Sequence, residues 1–119
     1  DFTARDLQSV LKSKGLPWER AKAFDGSAVI GRFISLSDAG AIQNLNFSME
    51  LNGQQVQAAN TSEMIFSVDK VISFVSRFIT LKTGDLIYTG TPQGVGPVKA
   101  DDRLVGRLGE HEMFNFQVK

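Results

Sequence analysis

The sequence contains no cysteine and a single histidine, His111. Without cysteine the chain can form neither a disulfide framework nor a thiolate metal site, and one histidine is too few for a multi-histidine zinc site. We therefore expect a protein of a reducing compartment, the cytoplasm or the mitochondrial matrix. His111 falls in a predicted hairpin turn, where we expect it to be exposed rather than catalytic.

The sequence also lacks net charge and a long hydrophobic run. Its thirteen basic and thirteen acidic residues cancel, so no net field favours nucleic acid or an anionic membrane surface. The most apolar stretch, Val71 to Ile79, is interrupted by serines and by Arg77, which excludes it as a membrane span. We expect neither a nucleic-acid partner nor membrane insertion.

The 119 residues are 42% hydrophobic, as in an ordinary globular protein. A chain of this length buries roughly two thirds of its unfolded surface when it folds as one domain. We therefore expect a single domain with a real core, in which β-structure predominates.

Two amphipathic helices are predicted. Thr3 is a candidate N-cap for a first helix from about Thr3 to Lys14, which Gly15 ends. Ser67 is the candidate cap of a second helix, which we expect to continue to the segment Thr83–Asp85. Phe74 widens the apolar stripe of this second helix, which indicates burial on more than one side or a partner surface.

Two hairpins and several short strands account for most of the remaining chain. The alternating run Leu45–Leu51, followed by Asn52-Gly53, predicts a strand entering a type I′ turn, and the mostly polar return strand, Gln54 to Ala58, predicts a wet face or an edge. The closing hairpin pairs Arg103–Leu108 with Glu112–Val118. Shorter strands are predicted at 29–30, 32–34 and 86–88, and a polar loop is predicted at 37–40.

The glycine- and proline-rich segment Thr89–Pro97 predicts a shaped loop, either a structural turn or a ligand-contacting loop. A phosphate-binding loop requires Lys-Ser/Thr after its second glycine, and a dinucleotide fingerprint opens a helix; the residues after Gly94 and Gly96 satisfy neither pattern. Both phosphate-binding interpretations are therefore excluded.

Polar residues near the start of the chain form the second candidate site. Asp1, Arg5 and Gln8 lie at i, i+4 and i+7, and share one face if the first helix or its leading turn includes Asp1. With Lys22 they could hold a hard metal ion and an oxyanionic substrate. The alternative is the solvated polar face of an ordinary amphipathic helix.

Six segments in this order strongly resemble the fumarylacetoacetate hydrolase family, most of all its small acylpyruvate hydrolase and oxaloacetate decarboxylase branch. They are Asp1-Phe2-Thr3-Ala4-Arg5-Asp6-Leu7-Gln8, Gly15–Asp25, Asn52-Gly53, Asn60–Ser67, Thr80–Asp85 and Thr89–Pro97. The resemblance implies an α+β, β-rich fold, a mixed β-roll or sandwich with two flanking helices.

The resemblance also implies an active site. It matches Asp1 to a metal carboxylate for Mg²⁺ or Mn²⁺, Lys22 to a catalytic lysine, and Arg5, Gln8 and Thr91 to substrate-binding side chains. The implied activity is hydrolytic C–C cleavage of acylpyruvates or related 2-oxo acids and 1,3-dicarbonyls, through a metal-bound enolate. The implied assembly is a homodimer.

The family's two glutamate metal ligands and its His-Glu pair have no match here, and His111 is in the wrong place to substitute. We therefore expect residues 1–119 to be the carboxy-terminal part of a single catalytic domain whose amino-terminal part is absent. We expect this chain alone to be inactive and to bind metal poorly. The alternatives are an oxaloacetate decarboxylase or isomerase of the same family, or a truncated, non-catalytic dimerising β domain.

Overall fold

The computed structural model describes residues 1–119 and separates into two compact units, Asp1–Ile30 and Gly31–Lys119. The combination of short helices with one antiparallel sheet confirms the predicted α+β class. No helix has the length and apolar character that crossing a membrane requires.

The first unit contains helices α1 (Arg5–Ser13) and α2 (Glu19–Lys22). Helix α1 ends in the hydrogen-bonding pattern of a Schellman motif: the Leu16 N–H donates to the Leu11 carbonyl at 2.9 Å, and Gly15 has φ of +63°. The predicted stop at Gly15 is therefore confirmed. The predicted cap at Thr3 is wrong, because Ala4 occupies the N-cap position and no side chain caps the helix.

The second unit is built on a four-stranded antiparallel sheet in the order β2-β1-β3-β4. Strands β1 (Asn46–Leu51) and β2 (Gln54–Asn60) form the first predicted hairpin, and β3 (Arg103–Leu108) and β4 (His111–Gln117) form the closing one. Asn52 and Gly53 have φ of +52° and +79°, as a type I′ turn requires. Strand β2 lies at an edge of the sheet, as its polar composition predicts.

The second unit also has three short helical segments: α3 (Leu36–Ala39) precedes β1, and a 3₁₀ turn (Thr61–Glu63) and α4 (Val68–Val75) lie between β2 and β3. The Ser67 hydroxyl accepts a hydrogen bond from the Lys70 N–H, which confirms Ser67 as the cap of α4. The predicted extent of α4 is wrong. The helix ends at Val75 and turns follow it. The Ser76 hydroxyl donates to the Ser73 carbonyl at 3.0 Å, an interaction that competes with continued helix.

The predictions of three short strands are also wrong. Residues 29–30, 32–34 and 86–88 form no strand. A run of two or three apolar residues is too short to distinguish a strand from other structure by its periodicity. The loop predicted at 37–40 is mostly helix: residues 37–39 belong to α3. The Ser35 hydroxyl caps this helix, and Gly40, at φ of +82°, ends it. A serine followed a few residues later by a glycine can mark the two ends of a short helix, although the same residue types are also common in loops.

The expected core is largely missing. Only Leu11, Ala21, Leu104 and Val105 are buried hydrophobic residues, and no large side chain is fully buried. The accessible surface is 9054 Å², whereas a compact monomer of 13.0 kDa exposes about 6,300 Å². The rest of the chain leaves many large apolar side chains uncovered, among them Phe33, Ile65, Phe66, Phe74 and Phe78.

Candidate active site

The first unit brings Asp1, Thr3 and Lys22 together. The Lys22 Nζ donates to the Asp1 Oδ2 at 2.9 Å and to the Thr3 Oγ1 at 2.7 Å. Backbone hydrogen bonds hold the two segments side by side: the Phe2 N–H donates to the Ser27 carbonyl at 2.7 Å, and the Ala4 N–H donates to the Ala21 carbonyl at 3.0 Å. This Asp1–Thr3–Lys22 cluster explains why Thr3 does not cap the helix, since its hydroxyl serves Lys22 instead.

The Asp1–Lys22 ion pair contributes little to stability. Its side chains are 35% and 38% exposed, and pairs accessible to water typically contribute about 0–1 kcal/mol. Two of the three Lys22 N–H groups have partners within the chain, so the third can meet a group supplied from outside it. The cluster therefore presents a positioned ammonium at little structural cost.

Arg5 and Gln8 form a second polar pair, on the first turn of α1. The Arg5 Nη1 donates to the Gln8 Oε1 at 2.8 Å. Arginine can only donate, so the oxygen of the Gln8 amide has to face it and the amide N–H groups point elsewhere. The pair thus offers hydrogen-bond donors, which suits a carboxylate or another oxyanion.

The predicted common helical face for Asp1, Arg5 and Gln8 is wrong in one respect. Helix α1 begins at Arg5, so Asp1 precedes it. The side chain of Asp1 pairs instead with Lys22. Helical periodicity cannot predict this contact, because the two residues are far apart in sequence and do not share a helix. Arg5 and Gln8 do lie together, as their i, i+3 spacing predicts.

Thr91 lies in the second unit, on the loop predicted from its glycines and prolines. Its Oγ1 accepts a hydrogen bond from the Gln57 Nε2 at 2.9 Å. The same nitrogen donates to the carbonyls of Pro92 and Gln93, each at 3.3 Å. The Gln57 side chain of strand β2 therefore anchors this loop. The polar composition of β2 predicts a wet face or an edge: β2 is an edge strand, but Gln57 itself is buried.

The loop also makes a close backbone contact with β2. Gly94 has φ of +97°, and a Cβ at this position would collide with the Val56 carbonyl. Thr91 lines a groove of about 730 Å³ in the second unit, together with Phe47, Met64 and Phe66. The loop is thus fixed against the sheet while the Thr91 side chain stays exposed.

The chain supplies only part of a site for a hard cation. Asp1 offers carboxylate oxygens, the donors that Mg²⁺ and Mn²⁺ prefer. However, nowhere do three carboxylate, imidazole or thiolate groups gather. His111, the first residue of β4, is half-buried rather than exposed as predicted, and it belongs to the second unit. Asp1 therefore has the chemistry of a single ligand, and no group of three such side chains forms around it.

Comparison with known proteins identifies the family. Residues 1–115 match the family described as fumarylacetoacetate (FAA) hydrolase C-terminal. The chain belongs to this family, as its motifs predict.

Its relatives include enzymes with different named activities. A mitochondrial oxaloacetate tautomerase of Homo sapiens is 46% identical over 119 residues, covering 100% of this chain and 53% of the relative. A fumarylpyruvate hydrolase of a Ralstonia species is 38% identical over 108 residues, covering 91% and 56%. The chain spans about half the length of the curated relatives it matches.

A solved structure supports the fold and links the family to a metal. Fumarylpyruvate hydrolase from Pseudomonas aeruginosa, in complex with Mn²⁺ and pyruvate, superposes with a TM-score of 0.89 at 39% identity. The match covers 98% of this chain and 50% of that protein. At least one family member with this fold therefore binds a divalent metal and a 2-oxo acid.

Proposed function

We propose that this chain is the carboxy-terminal part of a longer catalytic domain. Two observations support this proposal: the chain spans about half the length of its relatives, and it leaves Ile65 91% and Phe78 75% exposed. Exposed apolar surface of this extent normally marks a contact with further protein. The two polar clusters of the first unit would then be part of a site that the remaining polypeptide completes.

The substrate we propose is a small 2-oxo acid. Arg5 and Gln8 would bind its carboxylate, because the Gln8 amide oxygen is turned towards Arg5 and both residues have further N–H donors to offer. Thr91, in the second unit, is proposed separately as a substrate-binding side chain that donates a hydrogen bond through its hydroxyl. The pyruvate bound by the Pseudomonas aeruginosa relative supports this substrate class.

Lys22 is the residue that we expect to carry catalysis. An ammonium held at 2.9 Å from Asp1 and 2.7 Å from Thr3 cannot swing freely, so it is pre-oriented towards negative charge that develops on a substrate oxygen. Asp1 would be one ligand of Mg²⁺ or Mn²⁺. When bound, this metal supplies Lewis-acid chemistry at the substrate carbonyl.

These residues favour reactions in which a 2-oxo acid loses a proton or a carbon group and becomes an enolate. Hydrolytic C–C cleavage of an acylpyruvate is the reaction we propose. It also needs a base that activates water, and neither polar cluster contains a histidine or a free carboxylate for this role. Tautomerisation or decarboxylation of oxaloacetate is the second candidate. It is favoured because this chain is 46% identical to the oxaloacetate tautomerase relative and 38% identical to the fumarylpyruvate hydrolase relative.

A substrate panel on the full-length protein tests these proposals. Acetylpyruvate, fumarylacetoacetate and oxaloacetate would each be assayed with Mg²⁺ and with EDTA. We expect metal-dependent turnover of at least one, and the product separates cleavage from enol–keto interconversion. Equal rates with and without EDTA, or no turnover of the panel, would contradict the proposal. Residues 1–119 alone, assayed in parallel, should be inactive and should bind Mg²⁺ weakly.

A non-catalytic, dimerising domain is the alternative from another functional class. It is favoured by Phe74 and Phe78, whose rings lie 5.4 Å apart and are 61% and 75% exposed. We also propose that the full-length enzyme is a homodimer, with this surface as one candidate contact. Sedimentation of the full-length protein and of its Phe78→Asp variant tests this contact. A dimer unaffected by the substitution would exclude Phe78 from the interface.

A further inference from the structure

We propose that Gln57 is a positioning residue: its buried side-chain amide fixes the Thr91 hydroxyl so that the O–H points away from the sheet, as a donor to the substrate. This inference rests on the substrate-binding role proposed for Thr91. It adds a residue that no motif singles out and that lies on the edge strand of the sheet.

The orientation of the Gln57 amide follows from its partners. Its nitrogen faces the carbonyl oxygens of Pro92 and Gln93, each at 3.3 Å, and carbonyls can only accept. The amide N–H₂ group therefore points into the loop. One N–H serves Thr91 at the shorter distance of 2.9 Å, and the two carbonyls share the other in a three-centre arrangement.

The direction of the Thr91 O–H follows in turn. A threonine hydroxyl can accept two hydrogen bonds and donate one. Because Gln57 occupies an acceptor position of the Thr91 oxygen, the hydroxyl hydrogen has to point elsewhere, and the chain offers it no acceptor. Thr91 is exposed while Gln57 is 8% exposed. An outward donor backed by a buried amide is suited to a developing negative charge on a substrate oxygen.

A β-bulge explains how an edge strand can bury this glutamine. Met49 of β1 pairs with Gln57, but the neighbouring Glu50 pairs with Gln55, so Val56 is an extra residue. Gln55 and Gln57 therefore lie on opposite faces, although residues two apart normally share a face. Gln55 is exposed and Gln57 is buried under the loop. Bulges commonly re-aim side chains in this way.

Loop anchoring alone is the competing explanation, and it makes different predictions. If Gln57 only holds the loop, its loss should affect catalysis whether or not residue 91 carries a hydroxyl. If Gln57 acts through that hydroxyl, its loss should matter only when the hydroxyl is present. A double-mutant cycle separates the two cases.

The cycle combines Gln57→Met with Thr91→Val in the full-length protein, and kcat/KM is measured with Mg²⁺ and whichever substrate of the panel the wild-type enzyme turns over. We expect Gln57→Met alone to lower kcat/KM by about three- to tenfold, the value of one hydrogen bond. In the Thr91→Val background we expect the same change to cost less than about twofold. Thr91→Ser, which keeps the hydroxyl, should retain the sensitivity. Equal losses in both backgrounds would overturn the inference.

A second measurement needs no turnover. Three-bond couplings to the Thr91 Cγ2 report its χ1 rotamer by NMR. We expect one rotamer in the wild-type protein and rotamer averaging in Gln57→Met, with the rest of the fold unchanged. An unchanged χ1 would overturn the inference. A protein inactive on every 2-oxo acid would refute the proposed function, and the couplings would still decide whether Gln57 positions Thr91.

Discussion

Replacing Lys22 with alanine should separate catalysis from stability. The substitution removes a 2.9 Å ion pair with Asp1 and a 2.7 Å hydrogen bond to Thr3. Because both members of the ion pair are more than a third exposed, the remaining Asp1 carboxylate can be hydrated. We therefore expect the free energy of unfolding to fall by about 1 kcal/mol or less.

The expected catalytic loss is much larger. Removing one preorganised group that stabilises transition-state charge typically lowers kcat about 10²- to 10³-fold, or about 3–4 kcal/mol. The assay is kcat and KM of the full-length protein at saturating Mg²⁺, with urea unfolding of the same samples. Thr3→Val is the matched control: it removes one partner of Lys22 but keeps the charge, so its loss of kcat should be below about tenfold.

Two results would refute this reasoning. A Lys22→Ala enzyme with near wild-type kcat would remove Lys22 from the catalytic site. A stability loss large enough to unfold the variant would show that the Asp1–Thr3–Lys22 cluster is a structural element, and the low value derived from its exposure would be wrong.

Four further predictions concern the fold. Asn52→Ala should destabilise the full-length protein by about 1–2 kcal/mol in urea unfolding, because it loses both a residue suited to positive φ and its side-chain hydrogen bonds; Asn52→Gly should cost less. The Asn52 side chain, and secondly a backbone N–H, lower the pKa of the Asp102 carboxyl. The stabilisation by this carboxylate should therefore be present near neutral pH and be lost as pH falls below about 4. In Asn52→Gly the free energy of unfolding should depend less on pH in this range. Gly94→Ala should be more destabilising than Gly90→Ala, since both glycines have φ of +97° but only a Cβ at position 94 meets the Val56 carbonyl; equal effects would contradict the contact. Residues 1–119 alone should bind a hydrophobic dye strongly and unfold at low urea, because their apolar surface is uncovered; a dye-silent, cooperative unfolding transition would contradict this expectation.

The sequence predicts the features that depend on local chemistry. Asn52-Gly53 specifies a type I′ turn through its tolerance of positive φ, and Gly15 specifies the end of α1 for the same reason. Arg5 and Gln8 meet because they lie three residues apart on one helix. These interactions span a few residues, so neighbouring residue types are sufficient to predict them.

The features that join distant segments were not predictable in this way. Thr3 has the composition of a helix cap, but its hydroxyl bonds to Lys22, 19 residues away. Gln57 has the polarity of a wet strand, but a bulge turns it beneath a loop 34 residues further on. The prediction of a real core was wrong for a related reason. Hydrophobic content shows how much apolar surface a chain has, but not whether the same chain buries that surface.

The most direct test of the central claim is the Mg²⁺ dependence of 2-oxo-acid turnover by the full-length protein and its Asp1→Asn variant. The claim is that Asp1 is a ligand of a catalytic metal. We predict that EDTA abolishes wild-type turnover, that Mg²⁺ restores it, and that Asp1→Asn requires at least about tenfold more Mg²⁺ for half-maximal activity, since a carboxylate ligand is replaced by a neutral one. Turnover that survives EDTA, or an identical Mg²⁺ dependence in both proteins, would contradict the claim.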